Sequence, residues 1–132
     1  MAYQPTLEAT FKNEHKMGPR LAVAFALVAL GNLDTSDFSP LRYLINTLNV
    51  RTYQGVAGAY LTELARDLKV RLAIYPMLAR STKDEKIQLC TVFARSGDKD
   101  TLPYLETLSV DPDKDVAPEA IRSLRTLRAR LR

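Results

Sequence analysis

Thr47-Leu48-Asn49-Val50 returns sixty positions later as Thr107-Leu108-Ser109-Val110, and midway between them stands Met77-Leu78-Ala79-Arg80. Working outward, Leu41-Arg42-Tyr43-Leu44 returns as Leu102-Pro103-Tyr104-Leu105, one residue out of step. A unit of about 30 residues that closes the same way each time is the pattern of stacked helical hairpins. One hairpin cannot cover its own apolar face, so its neighbours in the stack must do so.

The local signals around these segments are helical. Ser39-Pro40 reads as an N-cap followed by proline at the first helical position, and Leu41, Leu44, Ile45 and Leu48 then recur at helical spacing. Thr82-Lys83-Asp84-Glu85 is a capping box, with Ile87, Cys90, Thr91 and Ala94 on one face behind it. Asp111, Asp113 and Asp115 precede a stripe of Ala117, Ala120, Ile121, Leu124, Leu127 and Leu131. No segment alternates with a period of two, so no strand is predicted. The pattern predicts eight helices over 5–15, 18–33, 38–49, 53–67, 70–80, 83–96, 101–109 and 114–131. Pro76 falls inside the fifth, where it removes a backbone hydrogen bond and predicts a kink.

A length of 132 residues suits one core, and 26% charged residues beside 46% apolar ones describe a folded chain. Cys90 is the sole cysteine, so no internal disulfide forms, which fits a reducing compartment. Leu21 to Leu30 is the longest apolar run, and ten residues fall short of the ~20 that span a bilayer. No leader pattern opens the chain, and a soluble cytoplasmic protein without membrane contact is the expectation.

Catalytic and metal chemistry lack their residues. His15 and Cys90 stand alone and far apart, so zinc has no ligand set, and no metal or cofactor is expected. His15 reads as a solvated residue near a helix end, and Cys90 as a small core residue. Asp111-Pro112-Asp113-Lys114-Asp115 starts like a calcium loop. Val116 then stands where glycine is needed and Arg122 where the bidentate glutamate belongs, so it reads as a turn and cap. Gly55-Val56-Ala57-Gly58 is not followed by Lys-Ser/Thr and is no phosphate loop; close approach of a neighbouring helix is the expected reason for both glycines. No catalytic residue is assigned and no enzyme is expected.

Gly97-Asp98-Lys99-Asp100-Thr101-Leu102-Pro103-Tyr104-Leu105 resembles the inter-repeat turn and first helix of HEAT repeats of the phycobilisome-lyase type. So do Asp111-Pro112-Asp113, Val116 and Ala120-Ile121-Arg122-Ser123-Leu124 behind it. A second stretch of the same kind covers 31–48, with Gly31-Asn32-Leu33-Asp34 as the turn. The resemblance is good over 97–128, fair over 29–66 and poor over 1–17 and 68–96. Ala117, where the family often has arginine, and Pro118 depart from it. It implies an all-α, right-handed α–α superhelix of about four hairpins, with second helices lining the concave side. Residues 1–132 would then form one HEAT-like domain, whole or a piece of a longer protein. HEAT proteins are adaptors, scaffolds and holders of substrates, so the resemblance favours binding over catalysis without selecting a partner. A helper role for bilin proteins finds no matching residue here.

Residues 1–117 carry equal numbers of basic and acidic residues, and the whole excess lies in 118–132 on Arg122, Arg125, Arg128, Arg130 and Arg132. On a helix Arg122, Arg125, Arg128 and Arg132 form a ridge beside the apolar stripe, with Arg130 apart. The ridge reads either as a surface for phosphate or acidic protein or as the polar end cap that a stack requires. Leu21–Leu30 poses the opposite question, since it is apolar all round. An interface with a second copy, or with a domain outside this chain, is expected around Leu7, Phe11, Val23 and Phe25. The leading expectation is a non-enzymatic protein-binding module, its partner unidentified. Nucleic-acid binding through the arginine helix, by analogy with HEAT-like alkylpurine DNA glycosylases, is the alternative and is expected to be weak.

Overall fold

Ser39 and Pro40 open a helix as their types dictate: Ser39 Oγ accepts the Arg42 N–H at 3.2 Å, and proline needs no partner there. The computed structural model describes residues 3–132, and among these all regular structure is helical. The helices are α1 (Tyr3–Asn13), α2 (Met17–Ala29), α3 (Pro40–Thr47), α4 (Gln54–Leu64), α5 (Leu68–Ile74), α6 (Lys83–Ser96), α7 (Leu102–Leu108) and α8 (Val116–Arg130). None is long and apolar enough to cross a membrane.

The helices pair in chain order, α1 on α2, α3 on α4 and α7 on α8, with α2 against α4, α4 against α6 and α6 against α8. The recurring segment shows why. Leu48, Leu78 and Leu108 are all buried, and Thr47 and Thr107 each donate to the carbonyl four residues back. The second helices add Leu21, Leu27, Leu61, Leu89, Phe93 and Leu127, each fully buried. Asn49 extends the motif into the next hairpin. Its Nδ2 donates to Glu85 Oε2 at 2.6 Å, and its Oδ1 accepts from Thr82 Oγ1 at 2.6 Å, which ties the end of α3 to the capping box of α6.

Three elements differ from the sequence expectation. The second helix stops at Ala29 because Gly31, at φ 106°, closes it: Gly31 N–H donates to Val28 O and Asn32 N–H to Leu27 O. The kink expected at Pro76 is a change of helix type, since α5 ends at Ile74 and Tyr75–Arg80 continues as a 3-10 turn. Ile121 lies outside the core of α8, which is built from Val116, Ala120, Ser123, Leu124 and Leu127.

Arg71 is 5% exposed and carries a buried charge that pattern reading does not reveal. Its Nε and Nη2 reach the two oxygens of Asp100, each at 3.0 Å, while Nη1 donates to the carbonyls of Ala65 and Arg66. Tyr75 OH donates to Asp100 and pairs with Thr101 Oγ1, and its ring stacks on Tyr104 at 3.9 Å. Charge, carboxylate and phenol thus clamp α5 to the turn before α7. Burial acts to raise the Asp100 carboxyl, but the hydrogen bonds from Arg71 and Tyr75 and the Arg71 charge outweigh it, so the group titrates below its ordinary value.

Cys90 is fully buried in α6. Loss of solvation, then the charges of Glu119 and Asp111, push its thiol up to about 12. The native chain is expected to resist an aromatic disulfide reagent at pH 8 and to react fully once unfolded in guanidinium. Rapid labelling without denaturant would refute that placement.

Candidate interaction groove

α4, α6 and α8 lie side by side, and each turns one stripe at helical spacing to the open face: Gln54, Gly58 and Thr62; then Gln88, Thr91 and Arg95; then Glu119, Arg122 and Thr126. Two hollows run between them, about 220 Å³ between α4 and α6 and about 320 Å³ between α6 and α8. Thr91 and Arg95 border both, so the two form one groove. The residues are short or polar because this face is not packed on anything. Thr62 satisfies its hydroxyl on Gly58 O at 2.8 Å, and Gln54 Nε2 caps the end of α3 through Leu48 O at 2.9 Å. At the α8 side Glu119 pairs with Arg122 three residues on, and Thr91 Oγ1 lies 3.4 Å from Glu119.

The expected reason for Gly55 and Gly58 does not hold. A Cβ built on either would meet nothing within 4 Å, so no neighbouring helix requires them. Glycine inside a helix costs about 0.5–1 kcal/mol relative to alanine. Gly58→Ala is therefore expected to stabilise the isolated chain by about that amount in urea unfolding, and Gly55→Ala, in the first turn of α4, by less. A loss of stability in either would mean that the space is filled.

The structure divides the predicted arginine ridge. Arg122 borders the groove. Arg128 leans the other way to Glu106 of α7 at 3.3 Å. Arg130 donates to Ala94 O and Gly97 O and so caps the C-terminus of α6, where carbonyls lack partners. Arg125 and Arg132 are exposed and make no ion pair among the described residues. Arg95, which sequence reading did not single out, is brought beside Arg122 by the packing of α6 on α8.

At the other end, Phe11 is only 4% exposed and meets Tyr43 edge-on at 5.6 Å. Leu7, Val23 and Phe25 are partly buried against the core, Phe25 beside Tyr60 at 4.8 Å. What α2 leaves exposed is Pro19, Ala22 and Ala29, with the edge of Leu30 just beyond its end. The small alanines let an apolar helix carry one outer face without a broad hydrophobic patch. Of the four residues, Phe11 is thus a core residue in the chain by itself.

Comparison with family models, with curated proteins and with solved structures finds no match to this chain.

Proposed function

We propose that this chain is a non-enzymatic protein-binding module, a short right-handed stack of HEAT-like hairpins that takes its partner in the groove of α4, α6 and α8. The observation that carries this reading is the pair of helical glycines opening onto that groove. Their helix cost is offset by no internal contact, and an approaching backbone is the remaining use for the space. The order of helix contacts supports the stacked arrangement, and the groove falls on the second helices, the side on which the HEAT resemblance implies binding. A reducing cytoplasmic compartment suits a chain whose sole thiol is buried.

The test is affinity capture from the native host with the parent chain, Gly58→Arg and Thr91→Arg. Both substitutions put a long side chain into open space without touching the core. The same protein is expected with the parent and not with either variant. Equal recovery with all three would refute the groove.

Nucleic acid is expected to bind weakly. Of the five C-terminal arginines, two pair with glutamates and one is held by carbonyls, which leaves few for phosphates. Fluorescence anisotropy with a labelled duplex should show weak binding with a shallow dependence on salt, because few phosphates are neutralised. A submicromolar dissociation constant at physiological salt, retained in an Arg122/Arg125/Arg128 triple alanine variant, would contradict this.

A further inference from the structure

The hollow between α6 and α8, about 320 Å³, is walled by Thr91 and Arg95 on one side and by Glu119, Arg122, Ser123 and Thr126 on the other. Residues three and four apart share a helix face, which is why each helix turns this set to the same opening. Two of these groups lack a partner inside the chain. Ser123 is 3% exposed, yet its hydroxyl bonds to nothing among the described residues, whereas the similarly buried Ser96 donates to Val92 O at 2.7 Å. A buried hydroxyl without a hydrogen bond costs free energy, and most find one. What reaches Ser123 enters through the hollow that it lines. Arg95, on the facing wall, is exposed and makes neither a hydrogen bond nor an ion pair among the described residues.

The charges select the occupant. Arg95 and Arg122 bring two positive charges, and Glu119, paired with Arg122, brings one negative. The hollow is thus short of a single negative charge, which a carboxylate supplies. Guanidinium forks match its two oxygens, and Ser123 adds a hydroxyl donor. A phosphate carries nearly two negative charges and would set the excess against Glu119. A basic segment would meet Arg95 and Arg122 as like charges.

The adjoining hollow between α4 and α6 indicates how that carboxylate is carried. Gln88 lines it beside Gly55 and Gly58, and its amide bonds to nothing among the described residues. One amide offers a donor and an acceptor together, the pair that an extended chain leaves open and a helix satisfies internally. We propose, resting on the groove reading above, that the groove takes an extended segment of its partner bearing an aspartate or glutamate, whose carboxylate seats against Arg95, Arg122 and Ser123.

The test selects a phage library of random peptides in parallel on the parent chain, on Gly58→Arg and on Arg95→Glu. Peptides enriched on the parent are expected to share one acidic position and to be lost on Gly58→Arg. On Arg95→Glu they should give way to peptides with lysine or arginine at that position, a reversal that damage to the fold would not produce. A synthetic peptide of the parent-selected sequence should bind at least about tenfold more weakly once its acid becomes the amide, as loss of charge-assisted hydrogen bonds does. Ser123→Ala should weaken the acidic peptide and leave the amide analogue unchanged. Peptides lost on Gly58→Arg but lacking an acidic position would overturn the carboxylate and leave the groove standing. Peptides that bind Gly58→Arg equally well would overturn both. Tighter binding of a phosphoserine analogue would assign the hollow to phosphate, and a selection that enriches no peptide would rule out the extended segment; either result overturns the proposal.

Discussion

Replacing Asp100 with alanine is expected to cost about 3 kcal/mol of folding stability, the low end of the range for breaking a buried ion pair, because the Asp100 side chain is 28% exposed. Arg71, 5% exposed in the parent, would keep its two carbonyl partners but lose its counter-charge, and Tyr75 OH would keep only Thr101. Tyr75→Phe removes hydrogen bonds but no charge and should cost about 1 kcal/mol. Urea unfolding of the two variants should separate these magnitudes. The pH dependence follows from the direction of the Asp100 titration. A carboxyl held below its ordinary 3.8 in the fold contributes stability that is fully present above that value. The contribution is lost as pH falls through the lower folded value. Asp100→Asn should therefore flatten the acid limb of stability against pH. Some slope should remain, because Asp111, held low by the Asp113 N–H and by Lys86, titrates in the same direction. An unchanged acid limb in Asp100→Asn would contradict the clamp.

Gly97→Ala is expected to destabilise by roughly 2–3 kcal/mol, the upper range for overpacking a site that cannot relax. At φ −73° its backbone is ordinary, so the cause is space. An added Cβ would lie 2.6 Å from Phe93 O and 2.6 Å from Thr101 Oγ1. Neither atom is free to move. Phe93 O accepts the Gly97 N–H that ends α6, and Thr101 Oγ1 accepts the Asp98 N–H and pairs with Tyr75 OH. The Gly97 carbonyl in turn accepts from Arg130, so a shift here would also disturb the hold of α8 on α6. Calorimetric unfolding of Gly97→Ala beside Gly58→Ala should show opposite signs. If Gly97→Ala left stability unchanged, the close approach would be wrong.

These two positions mark how far the sequence could be read. Patterned features were legible in part: α6 runs from Lys83 to Ser96 as its capping box predicts, and Leu48 and Leu108 are buried, but of the predicted apolar face Thr91 borders the open groove while Leu89, Val92 and Phe93 fill the core. Those signals are local, carried by residues within one turn of each other. The Arg71–Asp100 pair joins residues on different hairpins, and neither type at its position announces the other. Gly55 and Gly58 looked like helix-packing glycines because spacing reports which residues share a face and not what lies opposite. Arg130 stood apart on the wheel, but only the packing of α8 on α6 aims it at carbonyls. The groove itself needed three helices side by side before Arg95 and Arg122 became neighbours.

The most direct test of the binding-module account is site-directed photo-crosslinking. A benzophenone side chain is placed in turn at Thr91, at Thr126 and at the exposed Val110, which lies outside the groove. After irradiation in native host extract, the account predicts one adduct of the same added mass from Thr91 and Thr126. That adduct should be absent from Val110 and abolished when Gly58→Arg is combined with the probe. Equal adducts from Val110, or persistence of the Thr91 adduct beside Gly58→Arg, would contradict it.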